Sequence, residues 1–248
     1  MIRTAILVDA AFYQKRANLL FGQKSGEERA DELYDYCRRH LNSKATGDDE
    51  RKSLYRIFVY DCHPSEKTLM HPLTQKSVWL KKTDLYTWTN SFHDALSRKR
   101  KVALRMGELL ESTAGYVLNA EAVKRLCRKE MTVDDLTEKD FHLDIQQKGV
   151  DMKIGLDISS LAYKRLVDQI VLIAGDSDFV PAAKHARREG IDFILDPMWH
   201  TIKPSLNEHI DGLHSCVAKP PQNVHDSLYK KEDDAALNDP EDNKQYMV

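Results

Sequence analysis

Apolar positions along the chain fall into two rhythms. Thr4–Val8 and Gln169–Ala174 are short unbroken apolar runs rich in branched side chains, the pattern of strands covered on both faces. LYRIFVYD and VALRMGEL are strand-length as well, with Tyr116–Asn119 expected to pair with the second, and Ile191–Leu195 is bounded by Asp196-Pro197. Helical spacing governs Phe12–Leu20, and also Asp31–Leu41, where Leu33, Tyr36, Cys37 and His40 share one side. The same period continues over Asp151–Leu166 and over Val180–Glu189, which stops at Gly190 as a C′ residue. Asn119 looks like the N-cap of a short helix.

The C-terminal half therefore alternates helix and strand with short connections. That succession predicts an α/β fold: a mainly parallel central sheet of about five strands, the usual size, built by right-handed crossovers. Residues 169–174 should lie centrally, with residues 3–8 beside them. The middle, Cys62–Arg100, is polar and aromatic, carries Trp79 and Trp88, and reads as mostly helical. NSKATGDDERKS reads as a polar loop. From about Lys219 the chain turns polar and proline-punctuated, a solvated tail too poor in apolar residues to offset its ordering entropy.

Charge changes this picture little. The 37 basic and 39 acidic residues nearly cancel, so any contact with nucleic acid must come from a local patch. No apolar run exceeds strand length, so no membrane span is expected, and MIRTAILVDA reaches an aspartate too early for a signal peptide. Cys37, Cys62, Cys127 and Cys216 show no metal or disulfide spacing, which suits a reducing cytoplasm.

Candidate chemistry is acidic. Ligands of open parallel sheets bind beyond the carboxyl ends of the strands. Asp9 closes the first strand; Asp176 and Asp178 follow a later one; Asp151 opens a helix whose N-terminus can face the same edge. Carboxylates so crowded repel unless a cation neutralises them, and all-oxygen ligands select Mg²⁺ or Mn²⁺. Such a cluster suits phosphodiester cleavage. Asp157, six residues after Asp151, is a candidate additional acid of the site. Each acid also has a plain role open to it: Asp9 as a strand-end cap, Asp151 and Asp178 as helix N-caps, Asp157 as a structural acid that points away from Asp151.

Taken together, AILVDAAFY, QKGVDMKIGLDI and VLIAGDSDFVPAAKHARREG resemble the NYN family of PIN-like, metal-dependent ribonucleases. The resemblance runs from about residue 3 to 215 and implies a PIN-like three-layer α/β/α sandwich. It puts Asp9, Asp151, Asp176 and Asp178 at the metal and catalytic positions, with Mg²⁺ or Mn²⁺ as cofactor and RNA, single-stranded before DNA, as substrate. It also implies a domain over residues 1–218 with a helical, aromatic insertion around 62–130, followed by the tail 219–248. Ala10-Ala11-Phe12 stands where many members carry a Gly- and Asn-containing stretch. A haloacid-dehalogenase-like phosphatase would need an aspartate at position 11, which is Ala11.

Lys15, Arg16 and Lys148 flank the acids and are expected to hold a scissile phosphate, with Arg105 and the run Ser97–Lys101 as further phosphate contacts. Trp79, Tyr86 and Trp88 are candidates for base stacking. His185, after GDSD, reads as exposed. A nucleic-acid-binding or regulatory protein that keeps the fold without cleaving is the alternative function, and neither RNA over DNA nor the oligomeric state is fixed by these residues.

Overall fold

The structure is a computed structural model that describes residues 1–42 and 51–220. The tail beyond Pro220 and residues 43–50, most of the expected polar loop, lie outside the described residues. In chain order the elements are β1 (Ile2–Asp9), α1 (Ala10–Phe21), α2 (Gly26–Asn42), β2 (Lys52–Cys62), β3 (Thr68–Met70), β4 (Ser77–Trp79) and α3 (Asp84–Ser97). There follow β5 (Val102–Leu109), β6 (Gly115–Leu118), α4 (Ala120–Cys127), β7 (Phe141–Asp144), β8 (Gln147–Lys148) and α5 (Val150–Tyr163). The chain continues through β9 (Gln169–Ile173), α6 (Val180–Arg188), β10 (Asp192–Asp196), α7 (Pro204–Asn207) and β11 (Gly212–Leu213).

Two compact units emerge. One comprises Met1–His63, Trp88–Glu108 and Gly149–Pro220; the other, among the described residues, comprises Pro64–Thr87 and Leu109–Lys148. In the first, strands lie in the order β11-β10-β9-β1-β2-β5, and every pairing among them is parallel. β9 and β1 are neighbours in the middle, as their unbroken apolar runs require, with Val8 opposite both Ile173 and Val59.

Alternation along these strands gives two apolar faces. Ile6, Val8, Ile57, Val59, Val171 and Ile173 pack with Tyr13, Leu33, Tyr36 and Phe92 of α1, α2 and α3. The other face, carrying Ala5, Leu7 and Leu172, is covered by α5 and α6, whose Ile154, Ile158, Ala183 and Ala186 are buried. The result is the three-layer α/β/α arrangement that the family resemblance implies, around the parallel sheet that the alternating pattern predicts. Gly190 ends α6 with φ +83°, and Ile191 N–H reaches back to the Ala186 carbonyl at 3.1 Å, a Schellman closure that an L side chain would strain.

The second unit departs from expectation. Cys62–Arg100 is not mostly helical: two three-residue strands, β3 and β4, form an antiparallel ribbon before α3 begins at Asp84. β6 does not pair with β5. It pairs antiparallel with β7, Tyr116 opposite Leu143 and Leu118 opposite Phe141. Leu69, Leu80, Leu143 and Ile145 form a small separate core. Asn119 does precede α4 but gives no side-chain cap; its amide donates to the Lys139 carbonyl at 2.8 Å, and its Oδ1 lies 2.6 Å from His142 Nδ1.

Candidate functional site

The carboxyl edge of β1 and β9 gathers the predicted acids. Asp9 is the last residue of β1, one step beyond the Val8–Ile173 pair, and Gly175-Asp176 leaves the same end of β9. α5 returns the chain to the start of β9, so it runs against the strands and its N-terminus lies at that edge too. It packs on α6 and on the turn at Ser177–Phe179. Asp151 sits in the first turn of α5, where the helix dipole favours a carboxylate. The N-cap there is Gly149, so Asp151 is not the cap.

The four acids differ in surroundings. Asp9 is buried, 2% exposed, and its Oδ1 accepts from Phe12 N–H at 3.2 Å, capping α1. Asp176 is half-buried, and its Oδ1 accepts from Asp178 N–H at 3.0 Å, a local turn that fixes where Asp178 leaves the strand end. Asp178 is exposed and Asp151 half-buried. Their chemistry fits a hard divalent cation, since every donor is a carboxylate oxygen. Their side chains stand apart, however: among the described residues, no three His, Cys, Asp or Glu side chains converge closely enough to hold a metal ion.

The turn is tightly held from one side. A Cβ built on Gly175 would lie 2.6 Å from Phe12 Cε2 and 3.3 Å from His200 Nδ1, and the Phe12 and His200 rings meet edge to face at 5.8 Å. Phe12 thus fixes the backbone that presents Asp176, and glycine is required by proximity. Gly175→Ala should cost about 1–3 kcal/mol through overpacking. Thermal unfolding checks this, and Phe12→Leu in the same chain should recover part of the loss; an unshifted melting point in Gly175→Ala would contradict the close packing.

No curated protein matches the chain. A family model described as NYN domain matches residues 89–209, a span that takes in Asp151, Asp176 and Asp178, while Asp9 precedes it. The chain carries an NYN domain. NYN domains are PIN-like, nuclease-like and generally dependent on divalent metals, with nucleic acid as their substrate class. Among solved structures, the chain is similar to a protein of unknown function from Vibrio parahaemolyticus RIMD 2210633. Identity is 15% and the TM-score 0.42, over 86% of this chain and 91% of that one. It is also similar to a noncanonic maltogenic alpha-amylase from Thermotoga neapolitana, with 11% identity and a TM-score of 0.21, over 96% of this chain and 52% of that one.

The cations expected around the NYN acids fare unequally. Lys15 is exposed on α1. Arg16, its neighbour, is 2% exposed and donates through Nε and NH2 to the Met198 carbonyl at 3.3 and 2.9 Å, so it ties α1 to the loop after β10 and is not presented to a phosphate. Arg105 grips Asp157 with two bonds of 2.8 Å, and Tyr60 OH donates to the same carboxylate at 2.8 Å. Asp157 is thereby a structural acid, and Arg105 is engaged in holding α5 to β2 and β5. Lys148 is exposed and belongs to the second unit. Trp88 stacks on Phe92 at 5.3 Å and donates to the Lys24 carbonyl, which makes it a packing residue. In the second unit Trp79 is 52% exposed under Lys82, and Tyr86 OH donates to Glu66. His185 is half-buried on α6.

Two further strand-end acids of the NYN fold escaped the sequence reading. Asp196, fully buried at the end of β10, accepts from Tyr36 OH at 2.6 Å and from Met198 N–H at 2.8 Å, with His40 Nε2 at 2.8 Å. Burial first, and then this carboxylate, pushes the nearby Cys216 thiol up to about 12. Asp61, next to last in β2, lies 2.9 Å from His93 Nε2 and 3.4 Å from Gln14 Nε2. Their signal was in plain sight: each, like Asp9, follows a strand-length apolar run.

Proposed function

We propose that this NYN domain is a divalent-metal-dependent ribonuclease that cleaves single-stranded RNA internally, in the cytoplasm, with little sequence preference. One observation carries the reading: four carboxylates from three separate chain segments share the carboxyl edge of β1 and β9.

In this mechanism Asp9 is the fixed donor, held by its cap contact with Phe12 N–H, and Asp176 sets the turn from which exposed Asp178 reaches the substrate side. Asp151 approaches from the α5 N-terminus. Closing the set onto Mg²⁺ or Mn²⁺ requires these side chains to turn toward one another, which exposed and half-buried carboxylates can do without disturbing the core. When bound, the cation supplies water activation and stabilises charge on the leaving oxygen. Lys15, solvent-facing on the helix that Asp9 caps, attracts the phosphate without reading a base.

The test is incubation of the purified full chain with labelled single-stranded RNA in Mn²⁺, in Mg²⁺ and in EDTA. Internal fragments are expected with either metal and none with EDTA. Cleavage that persists in EDTA would overturn the metal-dependent reading. RNA binding without cleavage under every metal condition would leave the alternative, a binding or regulatory domain.

A further inference from the structure

The opposite edge of the same sheet carries a cluster of exposed cations. β2 begins beside β1 with Lys52 opposite Ile2, and β5 joins it only from Val102, opposite Ile57. The turn before β5 is fastened to β2 there: Ile57 N–H donates to the Lys101 carbonyl at 2.8 Å, and Lys101 Nζ to the Leu54 carbonyl. Two segments are thus laid side by side, residues 51–56 and 98–101. Together they hold Arg51, Lys52, Arg56, Arg98, Arg100 and Lys101, plus Lys99, and no acid. Lys99 pairs with Asp31. Arg51, Arg56, Arg98 and Arg100 are exposed and enter no ion pair among the described residues. In a chain whose net charge is -2, the two described segments are one-signed, with Asp48-Asp49-Glu50 preceding Arg51 in the sequence.

We infer that this edge is a docking surface for the phosphate backbone of the RNA, separate from the cleavage edge. Four of its cations are arginines, whose planar fork suits phosphate oxygens. Arg56 lies four residues before Tyr60, the register partner of Asp9, which is about 13 Å along a strand at 3.3 Å per residue. Arg51 lies five residues further back, about 30 Å from that level on the same rise. At about 3.4 Å per stacked nucleotide, a strand must run on for roughly four to nine nucleotides beyond the cleavage edge to engage these cations. Short oligonucleotides therefore meet the acids alone, and longer ones meet both edges.

The inference rests on the ribonuclease reading for the choice of RNA, and binding measured in EDTA separates the two. A fluorescent single-stranded RNA of about 15 nucleotides, a length set by the reach just estimated, is titrated against the full chain and against Arg56→Ala/Arg98→Ala/Arg100→Ala. Loss of three phosphate contacts should reduce the slope of log K against log salt by about 2 and weaken binding roughly tenfold or more. With metal, the same variant should raise KM for long RNA and keep kcat. Unaltered affinity and slope in a triple variant with a wild-type melting point would overturn the inference, whatever the cleavage assay gives. Equal competition by polyglutamate of matched charge would overturn it in favour of an acidic protein partner. Cleavage failing in the wild type, with the salt slope still falling in the variant, would sink only the ribonuclease reading.

Discussion

Asp178→Asn should abolish RNA cleavage, a fall of roughly a thousandfold or more, typical of losing a group that stabilises charge in the transition state. The side chain is exposed at the end of β9's following turn, so its replacement leaves packing untouched. Asp9→Asn should match it. Asn caps a helix as well as Asp does, so the α1 N-terminus keeps its bond to Phe12 N–H while the negative charge is gone. Both variants should melt with the wild type. Cleavage at wild-type rate in either, with EDTA controls excluding contaminating ribonuclease, would remove that residue from the mechanism.

The largest stability effect is expected at Asp196, at the end of β10 in register with Ile173. Its fully buried carboxylate is shared by Tyr36 OH, His40 and Met198 N–H, which join α2 and the loop after β10 to the sheet. Asp196→Ala strands three polar groups in an apolar layer at once and should cost about 3–5 kcal/mol. For a chain of this size that is a fall in melting temperature of roughly 10 °C. Tyr36→Phe alone should cost far less, because it removes one donor and leaves the carboxylate two others. A loss under about 1 kcal/mol in Asp196→Ala, measured by denaturant unfolding, would mean water replaces the carboxylate.

These residues show what the sequence could and could not disclose. β1, β9, α6 and β10 were legible because strands buried on both faces leave unbroken apolar runs and because Gly190 marks a helix end. The shared edge of Asp9 and Asp176 follows from that pattern once the strands are neighbours. The second unit was less legible: Tyr116–Asn119 read as a strand but was given the wrong partner, and strands of three or four residues with one buried position, such as β3 and β7, carry too few periods to distinguish from helix or loop. Partner choice was equally hidden. Nothing in the spacing of Arg105 and Asp157, 52 positions apart, announces a bidentate pair, and the burial of Arg16 depends on a carbonyl 182 positions away. Asp196 read as the bound of a strand and not as the hub of a buried network, because its partners sit on α2.

The central place of β1 has a consequence for how the molecule is made. β1 is synthesised before both its neighbours: β2 follows about fifty positions later, but β9 lies 165 positions away. Loop-closure entropy grows only with the logarithm of that separation, so the finished pairing is scarcely penalised in equilibrium. Time is another matter: until Gln169–Ile173 is synthesised, the apolar strand Thr4–Val8 waits with one open flank, the kind of edge that recruits foreign strands. Arg3, exposed at its start and later bonded to Asp168 through backbone and guanidinium, is the charged guard at that flank during the wait. The acidic edge, composed of the ends of these same two strands, comes into being only when the last third of the chain arrives, so no shortened product of translation ending before β9 contains it.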